Sequence, residues 1–211
     1  EFPEFPRSVL EVMRQPMEDR HISISRARYS IDYPAGFMLV ASMNPCPCGY
    51  YNHPTKECTC MPGQVSKYLN RISGPLMDRI DLQVEIMPVA FEELSSMKEG
   101  EGSAAIRERV IKARAIQTAR FVGERTVHCN AQMNSRLLSV HARLDKECMQ
   151  MLEFAMKRFD MSARAYDRIL KVSRTIADLA GSASILPAHV SEAISYRNLD
   201  RSTWGAHPLH P

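Results

Sequence analysis

Four of the six cysteines fall in one short window, as Cys46-Pro47-Cys48 and Cys58-Thr59-Cys60. Four thiolates make a closed tetrahedral site that suits a borderline-soft cation such as Zn²⁺. The pattern is C-x-C, nine residues, then C-x-C, a tighter chelate than the commoner C-x₂-C knuckle. His53 lies inside the loop and could replace one thiol. The plainer alternative is four free cysteines in a reduced loop. No charged-then-apolar leader opens the chain, so the expected setting is cytoplasmic, where clustered cysteines point to metal rather than to disulfides. Cys129 and Cys148 stand apart from the cluster.

Asn44 precedes the first thiol pair by two residues. Alone, Asn-Pro reads as a turn. Its position is more telling, because Phe37-Met38-Leu39-Val40-Ala41 is a continuous apolar run of the kind that forms a strand buried on both faces of a parallel sheet. Asn44 then stands at the carboxyl end of that strand, the edge where open α/β sheets bind ligands.

The elements needed to hold these residues follow from periodicity. Pro6 to Asp19 predicts a helix, with Val9, Leu10, Met13 and Met17 at helical spacing. His21–Ser25 and Tyr29–Tyr33 alternate polar and apolar around Arg26-Ala27-Arg28, which predicts a β-hairpin with a basic tip. Arg26 and Arg28, two apart, are candidates for tracking a phosphate backbone. The cysteine window is an irregular loop punctuated by Gly49, Pro54, Pro62 and Gly63, followed by a short helix over 65–70. Asp81–Ile86 alternates like a strand and is closed by Pro88.

Beyond Leu94 the composition changes. Residues 95–103 read as a linker, after which strand signals largely stop. Helices are predicted over Ala104–Phe121, Ser135–Val140, Asp145–Phe159, Ala163–Ala180 and Pro187–Arg197. Asp145 and Ser162 serve as N-caps, and Gly181 as a stop. The expected architecture is α/β plus all-α: an α/β piece over residues 1–95 followed by an all-helical piece over residues 96–211.

The 211 residues are 45% hydrophobic and 24% charged, an ordinary globular balance that excludes a disordered tail or a disulfide miniprotein. No apolar run approaches the ~20 residues of a membrane span. The net charge of +3 is unevenly placed: residues 1–95 carry 9 basic and 12 acidic side chains, residues 96–211 carry 18 and 12. A basic second half is compatible with a phosphate-bearing partner, although solvated helix faces account for it as well.

Several longer motifs occur in a fixed order: Glu1-Phe2-Pro3-Glu4-Phe5-Pro6-Arg7, Met43-Asn44-Pro45-Cys46-Pro47-Cys48-Gly49, Arg71-Ile72-Ser73-Gly74-Pro75-Leu76-Met77-Asp78-Arg79-Ile80-Asp81-Leu82, Ser162-Ala163-Arg164, and Arg168 through Leu179. Together they resemble the magnesium-chelatase-like AAA+ ATPases, specifically the YifB/ComM (competence protein) group, from residue 1 to about 202. The resemblance implies a ring-forming, hexameric ATPase that uses ATP and Mg²⁺ and remodels DNA. It implies that Glu1 is the Walker B glutamate that polarises the attacking water and that Asn44 is sensor 1. It further implies Arg79 as the arginine finger, with Arg71 instead of or beside it, and Arg164 as sensor 2 on the helical lid. The hairpin falls where related ATPases place a pre-sensor-1 hairpin facing the pore. Permanently charged arginines suit the anionic transition state of phosphoryl transfer.

One departure matters for activity. No G-x-x-x-x-G-K-[ST] stretch occurs in the sequence, so the usual phosphate cradle is not supplied by these residues. The opening at Glu1 reads as a start inside a longer protein, in the C-terminal half of an ATPase. No ATP hydrolysis is expected of the chain alone. Competing classes are an ATPase subunit of a metal-chelatase complex, a Lon-like protease, for which no Ser-Lys dyad is seen, and a zinc-bearing interaction module.

Overall fold

The computed structural model describes residues 1–89 and 100–197, which fall into two units, residues 1–80 and residues from Asp81 onward. The linker expected over 95–103 and the last residues of the chain lie wholly or largely outside the described residues.

The first unit opens with a 3₁₀ turn, Phe2–Glu4, and two short helices, α1 (Arg7–Val12) and α2 (Arg14–Asp19). One helix was expected over this span. Pro16 has no N–H to offer the Val12 carbonyl, and the chain re-starts at Met13. Arg20 closes α2 in the left-handed region, φ 60°, and its carbonyl accepts the Ala35 N–H at 2.8 Å. That bond ties the base of an antiparallel hairpin, β1 (His21–Arg26) and β2 (Tyr29–Pro34). The register pairs Ile22 with Tyr33, Ile24 with Ile31 and Arg26 with Tyr29, so these six share one face. The opposite face is polar, with Ser23 donating to Asp32 at 2.5 Å and the Ser25 and Ser30 hydroxyls 2.9 Å apart. Helices α3 (Gln64–Leu69) and α4 (Gly74–Met77) complete the unit. Its core is Phe2, Leu10, Ile72 and Leu76, with Leu39, Met43 and Ile80 packed against them.

Two expected strands are not formed. Among the described residues the sheet consists of the hairpin alone. Phe37–Ala41 has no strand alongside it, and only Leu39 of that run turns to the core, while Met38 and Val40 are more than 80% exposed. A strand exists by pairing, and the one lateral bond here is Phe2 N–H to the Ser42 carbonyl, 2.8 Å. Asp81–Ile86 likewise has no ladder; Gln83 N–H donates to the Tyr196 carbonyl at 2.9 Å.

The second unit is helical: α5 (Ser103–Arg120), α6 (Ser135–His141), α7 (Lys146–Arg158), α8 (Ala163–Leu179) and α9 (Pro187–Ser195). A 3₁₀ turn at Asn130–Gln132 precedes α6. Asn134, Asp145 and Ser162 accept the backbone N–H groups of Leu137, Cys148 and Ala165, capping α6, α7 and α8. Gly181 ends α8 at φ 67°, and Ser182 N–H reaches back to the Ala177 carbonyl at 2.8 Å. The core joins Leu137, Leu138, Leu152, Ile169, Leu170, Val190 and Ile194. Helix α5 buries only Ala113 and Gln117. The sequence spacing predicts an apolar side of Ile106, Val110, Ala113 and Ile116 or Gln117; of these Ala113 and Gln117 are the buried ones, while Ile106, Val110 and Ile116 are exposed.

Candidate functional site

The thiol cluster is assembled by a turn and an extended stretch. Gly49 N–H donates to the Cys46 carbonyl at 3.0 Å, closing a four-residue turn that brings Cys46 and Cys48 to a sulfur separation of 3.3 Å. Gly49 sits at φ 82°, a conformation glycine adopts without strain. Cys58 comes in from the far side, 3.7 Å from Cys46 and 3.5 Å from Cys48. All four sulfurs, Cys60 included, lie within 4.8 Å of one another. A tetrahedral site with Zn–S bonds of about 2.3 Å has S···S edges of about 3.8 Å, so the donor set fits such a cation.

His53 is not part of the cluster. Its Nδ1 accepts the backbone N–H groups of Thr55 and Lys56, both at 3.2 Å, and its ring meets Tyr50 edge-on at 5.6 Å. Among the described residues the four cysteines are the one group placed to hold a metal. Their ionisation is mutually restrained. The Tyr50 backbone N–H above all pulls the Cys48 thiol down to about 5. For Cys60 the largest single influence is a lowering backbone contact from Cys48, but burial and the Cys48, Cys46 and Cys58 thiols together push it up to about 12. One thiolate therefore suppresses the next, and a divalent cation supplies the countercharge that lets all four ionise.

The residues read as nucleotide-facing are placed as follows. Glu1 and Asn44 are exposed, and the Phe2–Ser42 bond holds their segments side by side. Arg71 belongs to the same locale: it donates to the Pro3 carbonyl and to the Glu4 carboxylate, each at 3.1 Å, with half its side chain exposed. Tyr68, buried in α3, has its hydroxyl raised above its ordinary value by burial and by Glu4 and Glu1, while a hydrogen bond with the Asn44 backbone acts the other way. Arg79 is set differently. It is only 8% exposed, donates to the Pro75 carbonyl at 2.7 Å and is ion-paired with Glu18. Any reach toward a neighbouring subunit's phosphate requires it to leave Glu18. Arg164 lies exposed in the first turn of α8, in the second unit. Arg26 sits opposite Tyr29 at the hairpin tip, and Arg28 in the two-residue turn; both are exposed.

Sequence reasoning missed a buried ionic network in the second unit. The Asp178 carboxylate, fully buried, accepts two bonds from Arg120 at 2.5 and 2.6 Å, one from Asn130 at 2.7 Å and one from Arg174 at 3.1 Å. Arg174 also donates to the Ser182 and Ala183 carbonyls. Burial alone would raise the Asp178 carboxyl, but Arg120, Asn130 and Arg174 hold it below its ordinary value. A signal was present. Arg174 and Asp178 lie four apart on the same side of α8 as Leu170, Ser173 and Ala177, where charges are expected only if paired.

Two family models match the chain: magnesium chelatase, subunit ChlI, over residues 1–94, and its C-terminal model over residues 100–197. Among curated proteins, the competence protein ComM of Haemophilus influenzae is 44% identical over 202 residues, 95% of this chain. Uncharacterized proteins named YifB from Escherichia coli and Salmonella typhimurium are 42% and 40% identical over the same length. The chain spans 38% of the length of each of these relatives. With both models matched in tandem and such identity along nearly all of its length, the chain belongs to the magnesium-chelatase-like AAA+ family, in the group that includes YifB and ComM.

Proposed function

We propose that this chain is the C-terminal part of a AAA+ ATPase that couples ATP hydrolysis to the remodelling of DNA, in the manner of a helicase or branch-migration motor. The observation that carries the reading is the shared locale of Glu1, Asn44 and Arg71, set by the Phe2–Ser42 and Arg71–Pro3 hydrogen bonds. A carboxylate, a neutral amide and a guanidinium on adjacent segments are the groups phosphoryl transfer needs around an attacking water. Mg²⁺ and ATP, when bound, supply the transferable phosphoryl group and the charge neutralisation it requires. Glu1 orients and polarises the water, and Asn44 holds that water or a terminal phosphate oxygen. Arg71 places permanent positive charge in the same locale, Arg79 once released from Glu18 places it on a neighbouring subunit's site, and Arg164 adds it from the helical lid. The phosphate cradle lies outside this sequence, so the chain alone does not hydrolyse ATP.

In this reading residues 1–95 complete the α/β nucleotide-binding domain and residues 96–211 form the lid. The complete protein is a cytoplasmic ring, a hexamer. Among the described residues no helix is long and apolar enough to cross a membrane. Zn²⁺ is the cation that the four-thiol set suits, as a structural element and not a reactant. The hairpin tips, with Arg26 and Arg28, line the pore and follow a phosphate backbone without reading sequence.

The test uses the complete protein. DNA should stimulate its ATPase activity. Arg26→Ala with Arg28→Ala should leave basal hydrolysis intact, weaken DNA binding and flatten its dependence on salt. Absence of any DNA stimulation and of salt-sensitive DNA binding refutes the motor reading. It would favour the alternative of a metal-chelatase-type ATPase subunit, which the descriptions of both matching family models support.

A further inference from the structure

The segment from Cys46 to Cys60 contains neither helix nor strand, and Cys46 is its one fully buried side chain. A stretch of that length has little apolar burial to offset the entropy of ordering it. Its outer turns are nevertheless specified: His53 Nδ1 gathers the Thr55 and Lys56 N–H groups, and the Lys56 ammonium lies 4.9 Å over the Tyr50 ring. What holds the two ends of the loop together is the meeting of four sulfurs. Thiols are weak hydrogen-bonding groups, and the closest pair, at 3.3 Å, is well beyond the ~2.05 Å of a disulfide. Convergence of four soft donors from two separate C-x-C pairs is the arrangement of a closed structural metal site, with no position left open for water or substrate.

The loop ends lead directly into two elements of the unit. Asn44 lies two residues before Cys46, across Pro45. Helix α3 begins at Gln64, four residues after Cys60, and buries Tyr68. A cation joining Cys46 and Cys48 to Cys58 and Cys60 therefore ties the segment that carries Asn44 to the segment that enters α3.

We propose that Cys46, Cys48, Cys58 and Cys60 bind one Zn²⁺, and that this ion is the splint that fixes the backbone of Asn44. The role of Asn44 in catalysis rests on the reading above; the metal site and its mechanical effect do not. Loading transfers the thiol protons to solvent and forms four Zn–S bonds, with no redox change. The four cysteines are positioning residues.

The experiment uses the 211-residue chain purified under reducing, chelator-free conditions. Metal analysis should give about one zinc per chain, released on thiol modification. Replacement by Co²⁺ should produce the intense thiolate-to-cobalt absorption and visible bands of a tetrahedral four-sulfur site. Cys58→Ser and Cys60→Ser should each reduce bound metal to a small fraction, Cys60→His should restore it, and Cys129→Ser should leave it unchanged. Hydrogen exchange on the metal-stripped chain should rise at the amides of 43–53 and in α3, but not in α7 or α8. A reduced, folded wild type with no zinc and four freely reactive thiols overturns the site. Metal bound with unaltered exchange at 43–53 overturns the splint. If the serine variants fail to fold, the cobalt spectrum of the wild type decides the ligand set alone. ATPase activity enters none of these readouts, so failure of the motor reading leaves the metal result standing.

Discussion

Removing the negative charge at Asp178 should be the most damaging single polar substitution in the second unit. Asp178→Asn keeps the side chain's size but leaves Arg174, 4% exposed, and Arg120, 13% exposed, as adjacent buried cations without a counterion. Four hydrogen bonds converge on the carboxylate. Each charge-assisted bond is worth about 1.5–3 kcal/mol, but they share one acceptor group and do not add. The better guide is the loss on deleting one partner of a buried pair, about 3–5 kcal/mol. Asn retains one acceptor oxygen, and Arg174 keeps the Ser182 and Ala183 carbonyls, so the expected loss is at the lower end, about 3 kcal/mol. At about 4 °C per kcal/mol that is a fall of about 12 °C in the melting temperature of the unit. Urea denaturation followed by far-UV ellipticity reads it, because the second unit holds most of the helix. Arg120→Met, Arg174→Met and Asp178→Leu made together should cost far less than Asp178→Asn alone, since the penalty comes from unpaired charge and not from lost volume. A destabilisation below about 1 kcal/mol for Asp178→Asn, the size of an exposed pair, would refute the reasoning.

Other outcomes follow from the same structure. Lowering the pH from about 4 should destabilise the second unit, because the folded Asp178 carboxyl lies below its unfolded value and its stabilisation is lost as it protonates; Asp178→Asn should lack that limb in an acid titration. Burial first, then Arg120 and Arg136, lowers His141, so stability should decline as pH falls below about 6.5, and His141→Gln should flatten that part of the curve. Arg79→Ala should destabilise the first unit measurably, whereas Arg71→Ala, whose exposed pair with Glu4 is worth at most about 1 kcal/mol, should not; differential scanning calorimetry distinguishes them. Ser162→Ala should cost about 1 kcal/mol through loss of the α8 cap, read as a shift in the urea midpoint.

Much of the helical unit was legible because its signals are local. Asp145, Ser162 and Gly181 mark helix ends through their own side-chain or backbone chemistry, and the structure uses all three in that way. The hairpin was legible from alternation, which needs only a partner at most thirteen residues away. The single helix over 6–19 failed because the apolar spacing outweighed Pro16, whose missing N–H interrupts the ladder. The strands at 37–41 and 81–86 failed for a different reason. Their apolar patterns record a preference for a sheet environment, but a strand is a property of a pair, and no neighbouring strand lies beside either one among the described residues. The thiol cluster was visible as a composition; its closing sulfur distances and the exclusion of His53 depend on backbone turns that spacing alone does not fix. The Asp178 network was overlooked because its members are scattered from Gln117 to Ala183.

The bond between Arg120 and Asp178 also sets the order in which the molecule can be made. The two residues are 58 apart, and a ribosome adding about 5–20 residues per second takes several seconds to travel between them. Throughout that interval α5 has been synthesised with Arg120 lacking its buried counterion and with Ala113 and Gln117, the residues it buries in the finished unit, still uncovered. A chain interrupted anywhere before α8 therefore cannot dock α5. Nascent or truncated forms should be recognised by chaperones and proteases through that helix, while forms that reach Asp178 lock it down in one cooperative step.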